Sequence, residues 1–367
     1  MGWIQNRQNA PLCSKLDDRI PGQRHKPARG PPDTPRLGAK HLPVQHHDAK
    51  PVSKLQNIAF TVPRSAVFSP RRFDRTDLGI ATDPSFQIHQ NDRVFCIGSC
   101  FARAVQRMLG SCAIQSTFAG LTHRYNIFTI EQTIRWAFDD ALSEDHFIRL
   151  NDGSFFDPYD RSRIETGYQI ANEAYELNAA QLRNVKQEVS VCDTLVITLG
   201  LAEVWRDTFT NAWLNHRPPD STADPFDSRF RITQTTVAEN RNAIVNLVRY
   251  VRSINPKAKF IFSVSPIALN ATFTQTDVLV ATMLGKATLR AAVHEAIAEL
   301  ARTQDCLVDY FPSFEIVMFQ RNNDVYVERD DRGRRDRQHI REDFLHNAIR
   351  PAFLKAYINP NLTAQSA

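Results

Sequence analysis

No stretch of this 367-residue chain approaches the run of about 20 uncharged apolar residues that a membrane-spanning helix needs. The opening MGWIQNRQNAPLCSK has neither an apolar core nor a small-residue cleavage site, so no secretory leader is predicted. Met-Gly is not followed by Ser or Thr where N-myristoylation prefers one, and lipidation is not expected either. The six cysteines (Cys13, Cys96, Cys100, Cys112, Cys192, Cys306) show no paired CxxC spacing, which argues against a disulfide framework. Reduced thiols and a cytoplasmic setting are the expectation. A phosphate-cradling GxxxxGK loop, a dinucleotide fingerprint and a zinc motif are all missing, so no cofactor and no metal are predicted.

Charge of one sign is confined to one place. Residues 1–56 hold ten Lys and Arg against four acids, while the remaining 35 basic and 36 acidic residues nearly cancel. The net charge of +5 therefore belongs to the tail, and the body carries no footprint for a nucleic-acid backbone. The tail is rich in Pro, Arg, His and Gln. It buries too little apolar surface to offset its ordering entropy, so disorder is expected there. With 42% hydrophobic and 23% charged residues, the rest has the mix of a soluble globular protein. A single domain over residues 57–360 is predicted.

That body alternates apolar runs with helical periodicity. Arg93–Ile97, Asp193–Thr198, Lys259–Val264 and Cys306–Tyr310 read as buried strands. Phe101–Leu109, a helix capped by Thr129, Val237–Val251 and Thr282–Thr303 read as helices. Continuous apolar strands between amphipathic helices predict an α/β fold with a parallel sheet covered on both faces. Ligands bind beyond the carboxyl ends of such strands, where Gly98-Ser99, Gly200 and Ser265-Pro266 fall. The charged stretch 322–341, which contains ERDDRGRRDR, reads as an exposed loop able to cover that end.

Cys96-Ile-Gly-Ser-Cys-Phe-Ala102 is a strand, a glycine turn and a helix start. Ser99 then sits among unpaired backbone N–H groups at the positive end of a helix dipole. A hydroxyl there can attack a carbonyl, although a serine that merely caps the helix fits the same pattern. Asp343-Phe-Leu-His346 offers a histidine base with a carboxylate three residues away, and isolated pairs of this kind are commonly surface residues. Cys100 is a rival nucleophile at the same helix start. His123 is a second-choice base, and Lys286 reads as a solvated residue of a long helix.

The string Gly98-Ser-Cys-Phe-Ala102 resembles the signature of the GSCFA family. Further blocks resemble that family in order: Tyr125–Ile130, Val196–Gly200 with Ala202–Val204, Phe262–Pro266, Tyr310–Met318, and Asp343 with His346. The family looks like a branch of the SGNH (GDSL-like) hydrolases. The resemblance implies a three-layer α/β/α sandwich with a mostly parallel central sheet, Ser99 as nucleophile, His346 as base and Asp343 as its orienting acid. One departure stands out. The wider SGNH pattern has Gly-x-Asn after a middle strand, where Asn donates to the oxyanion, but here the turn reads Gly200-Leu-Ala202. Either the backbone N–H of Ser99 and that of another residue make the oxyanion hole, with Gly98 and Gly200 as further candidates, or a different side chain contributes, for which Asn126 is the candidate. Glu203 and Trp205 follow that turn and are candidates for lining the cleft, Trp205 as a stacking platform for a sugar ring or as plain packing.

The expected activity is a serine esterase acting on O-acyl groups of a carbohydrate or another acylated small molecule. An O-acyltransferase to a sugar hydroxyl uses the same acyl-enzyme. A non-catalytic carbohydrate-binding module is the alternative that the missing Asn favours. Binding of nucleic acid through the tail is a distant fourth possibility.

Overall fold

The computed structural model describes residues 69–358, apart from 121–122, 161–162, 164–165, 303–306, 321–324 and 331. The basic tail of residues 1–56 and Cys306 lie outside the described residues. In chain order the first elements are β1 (Arg93–Gly98), α1 (Cys100–Gly110), β2 (Gln115–Phe118), α2 (Ile127–Asp139), β3 (Ile148–Arg149), β4 (Phe155–Phe156) and α3 (Ala171–Val191). Next come β5 (Thr194–Leu199), β6 (Glu203–Asp207), β7 (Trp213–Leu214), α4 (Phe226–Arg229), β8 (Phe230–Gln234) and α5 (Val237–Ile254). The chain continues through β9 (Lys259–Val264), α6 (Val278–Arg302), β10 (Val308–Tyr310), α7 (Ser313–Met318), α8 (Glu342–Phe344) and α9 (Arg350–Tyr357). Residues Leu345–Ile349 form a π-helical turn between the last two helices.

Five strands pair in the order β10-β9-β5-β1-β2, every neighbour parallel. Alternate residues of each strand face opposite layers. Phe95, Ile97, Leu195, Ile197, Phe260 and Phe262 pack with α2, α3, α5 and α6. Val94, Cys96, Val196 and Ile261 pack with α1, α7 and α9. Both faces are thus covered, as parallel sheets require, and the architecture is the expected α/β/α sandwich. From β1 the chain turns to β2 on one side and then to β5 on the other. The switch point of the sheet falls between β1 and β5. No helix among the described residues is long and apolar enough to cross a membrane.

Three local expectations are corrected. Asn126, not Thr129, caps α2, because its side chain accepts from the Thr129 N–H at 2.8 Å. α6 starts at Val278, four residues before the predicted Thr282. A small antiparallel sheet, β7-β6-β8, stands outside the main one and was not anticipated.

Candidate active site

Three loops meet at the switch point. β1 ends in Gly98, whose φ of +138° and backbone contact only glycine accommodates: a Cβ there would lie 2.3 Å from the Thr198 carbonyl oxygen. This close approach to β5 delivers the next residue, Ser99, to the N-cap of α1. Ser99 is 2% exposed, and its Oγ accepts from the Phe101 N–H at 3.4 Å. Its own N–H donates to Thr198 O at 3.1 Å. The segment after β2 is stitched across both strand ends: Arg124 N–H donates to Gly98 O, and the Gly200 and Leu201 N–H groups donate to Tyr125 O. A Cβ built on Gly200 would lie 3.6 Å from Ser99 Cβ and 4.0 Å from Ser265 Cβ. Ser99, the Tyr125-Asn126 segment, Gly200 and Ser265 therefore border one another.

Of the expected oxyanion candidates, Gly200 has its N–H committed to Tyr125 and offers no donor. Gly98 supplies the turn itself, and its carbonyl accepts from Arg124. Asn126 is 2% exposed, uses Oδ1 to cap α2, and its Nδ2 has no partner among the described residues. Ala202, where the wider pattern has Asn, is buried against Gly285, and its carbonyl accepts from Thr235. A side chain at 202 faces α6 and not the Ser99 cleft.

The structure does not bring Asp343 and His346 to Ser99, or to each other. Asp343 is held by Arg341, whose Nε donates to Oδ1 at 2.9 Å. His346 Nε2 lies 2.9 Å from Arg350, which also donates to Cys112 Sγ at 3.6 Å. Cys112 lies just beyond the C-terminal end of α1, whose 11 residues span about 16 Å from the Ser99 cap. Guanidinium groups two residues before the acid and four after the histidine capture both side chains locally.

A second pair with the same spacing sits seven residues earlier, within the charged stretch. His339 Nδ1 lies 2.9 Å from Asp336 Oδ2, and Oδ1 accepts from the Gln338 and His339 N–H groups at 2.8 and 2.9 Å. Burial pushes the Asp336 carboxyl up, but these backbone bonds and the ring beside it prevail, and it ends below the usual carboxylate range. An ionised carboxylate only accepts, so Nδ1 carries the proton and Nε2 is left as the basic nitrogen. The neighbouring Gln338 donates to Ala268 O at 2.7 Å. That anchors the pair beside the loop leaving β9, three residues beyond Ser265. The signal was present as Asp336-Arg-Gln-His339, hidden in a run that otherwise reads as solvated loop.

Other expectations resolve as follows. Glu203 accepts from Thr272 Oγ1 at 2.5 Å and Phe273 N–H at 3.1 Å, so its carboxylate ties down a loop. Trp205 packs edge-on against Phe226 and Phe273, with ring centroids 5.6 and 5.1 Å away. The Cys100 thiol is pushed up to about 11, chiefly by burial, which disfavours a thiolate nucleophile. His123 packs between the rings of Phe118 and Tyr125. Lys286 is not solvated: it is 2% exposed, and its Nζ donates to Gly200 O at 2.7 Å.

Among solved structures, the chain is similar to a carbohydrate esterase family 2 enzyme from Corynascus thermopiles, with 23% identity, 33% of this chain and 28% of that chain covered, and a TM-score of 0.18. It is also similar to a family two carbohydrate esterase from Clostridium thermocellum, at 13% identity, 75% and 64% coverage, and TM-score 0.31. An acetyl xylan esterase from the rumen bacterium Butyrivibrio proteoclasticus gives 13% identity, 64% and 56% coverage, and TM-score 0.25. The chain spans less than two thirds of the length of each of these. No curated protein matches it. Residues 93–343, more than half of the chain, match the GSCFA family, and the chain belongs to that family.

Proposed function

We propose that this chain is a serine acyl-transfer enzyme, an esterase in its simplest form, with Ser99 as nucleophile, His339 as base and Asp336 as the acid that orients it. The observation that carries this reading is the Asp336–His339 pair beside the β9 loop that borders Ser99.

In this reading His339 Nε2 takes the Ser99 proton as Oγ attacks an acyl carbonyl, and the imidazolium is stabilised by Asp336. Asn126 Nδ2 donates to the oxyanion, the task an Asn two residues after Gly200 performs in the wider pattern. Collapse of the tetrahedral intermediate expels the alcohol, protonated by His339, and leaves an acyl-Ser99 ester. Water, activated by the same imidazole, then releases the acid. A sugar hydroxyl in place of water makes the enzyme a transferase. The carbohydrate as substrate rests on the family resemblance and on the names of the similar structures.

Turnover of p-nitrophenyl acetate by wild type and Ser99→Ala, with and without added sugar acceptors, tests the reading. Wild-type turnover that Ser99→Ala lacks supports the acyl-enzyme, and acceleration by a sugar supports the transferase. Equal, negligible turnover in both makes a non-catalytic module the better reading.

A further inference from the structure

Lys286 lies on α6 with its side chain enclosed between that helix and the β5–β6 turn. Among the described residues no carboxylate pairs with it, and the titratable group that acts on it is the Cys100 thiol of α1. Glu203 of β6 borders the same small cavity, of about 10 Å³, but both its oxygens already accept from Thr272 and Phe273. The other groups lining that cavity, among them Gln234 and Thr282, are neutral. Arg290, one turn further along α6, is directed instead at Glu315. An ammonium buried with one carbonyl partner and no counter-ion destabilises a fold, and an apolar residue of similar length suits such a helix position better. A charge kept there against that penalty points to a task in the site.

The carbonyl that Lys286 holds belongs to Gly200, on which a Cβ would lie 3.6 Å from Ser99 Cβ. The Gly200 and Leu201 N–H groups are both committed to Tyr125 O, so neither donates into the cleft, and the Gly200 carbonyl accepts from Lys286 alone among the described residues. An unpaired carbonyl dipole at that point would oppose the negative charge that develops on a substrate oxygen beside Ser99.

Building on the serine acyl-transfer reading, we propose that Lys286 is a positioning residue of the site. It draws the Gly200 carbonyl toward α6, and it places a buried positive charge behind the cleft where the turn lacks its Asn. Burial, the larger influence, lowers this ammonium to about 7, so its charge is sensitive to pH near neutrality.

Lys286→Met and wild type are compared for turnover of p-nitrophenyl acetate, thermal midpoint and pH profile. The expected result is a fall in kcat that approaches the roughly 10²- to 10³-fold cost of losing one oxyanion contact. KM and the thermal midpoint should not fall. Wild-type kcat should drop as pH rises past about 7, with K286M lacking that limb. Lys286→Arg, which keeps its charge, should recover turnover at alkaline pH. Wild-type kcat in K286M overturns the proposal, and so does a K286M that fails to fold, which would make Lys286 a structural staple. Fluorophosphonate labelling of the wild type separates the two claims. No label on Ser99 would defeat the acyl-enzyme reading itself, whereas a labelled wild type with an indifferent K286M defeats only the role of Lys286.

Discussion

His339 Nδ1 stands 2.9 Å from Asp336 Oδ2, and the same carboxylate also accepts the His339 backbone N–H. One acid thus fixes both the ring and the chain that bears it. This predicts opposite outcomes at two histidines. H339A should lower kcat for p-nitrophenyl acetate by about 10²- to 10⁴-fold, the range for a general base. H346A should stay near wild type, since that ring contacts Arg350 on another part of the surface. Steady-state kinetics of the two variants checks both statements.

The Asp336 carboxyl is held below its ordinary value. A depressed acid stabilises the fold at pH values above its unfolded pKa, and that contribution disappears as pH falls through the folded value. The orienting bond should therefore survive into mildly acidic solution. D336N should lose kcat by about 10²- to 10⁴-fold, because an amide can present the wrong hydrogen-bonding end to the ring. A pH series from 4 to 8 on both proteins, read by kinetics and by thermal midpoint, checks this.

Much of the fold was legible and part of the site was not, for physical reasons. β1, β5 and β9 are unbroken apolar runs because both faces of a parallel sheet are buried, and such runs are conspicuous. Ser99 was legible because a glycine turn and a helix start flank it directly in sequence. The sequence alone could not choose between the two acid–histidine pairs, because the same spacing occurs twice within residues 336–346. Nothing local reveals that Arg341 and Arg350 capture one pair while the β9 loop receives the other. Lys286 read as solvated because a lone lysine on a helix usually is. Its partner, the Gly200 carbonyl, lies 86 residues away. The β6–β8 sheet was missed because its strands are short and only partly buried.

Asn126 Oδ1 caps α2, and the proposed reading gives its Nδ2 the oxyanion. N126D keeps the capping acceptor and loses the donor. Its stability should remain near wild type while kcat falls about 10²- to 10³-fold. N126A should lose both, with about 0.5–2 kcal/mol of stability from the missing cap. Urea unfolding alongside kinetics distinguishes the two effects. A fully active N126D would remove Asn126 from the oxyanion site.

Gly98 is a demand of the fold and not of the chemistry. G98A places a methyl against the Thr198 carbonyl at a φ that disfavours any Cβ. Backbone strain alone should cost about 1–3 kcal/mol, with the collision adding to it. The predicted result is a lower urea midpoint and weaker expression. Wild-type stability in G98A would mean that β1 and β5 do not approach as closely as described.

The central claim is that Ser99 is a nucleophile activated by His339. Intact-mass measurement of fluorophosphonate labelling, on wild type, S99A, H339A and H346A, tests it most directly. The account predicts one adduct on wild type and on H346A at similar rates, none on S99A, and strongly slowed labelling of H339A. Rapid labelling of H339A together with loss of labelling in H346A would contradict it and return the base to the later pair.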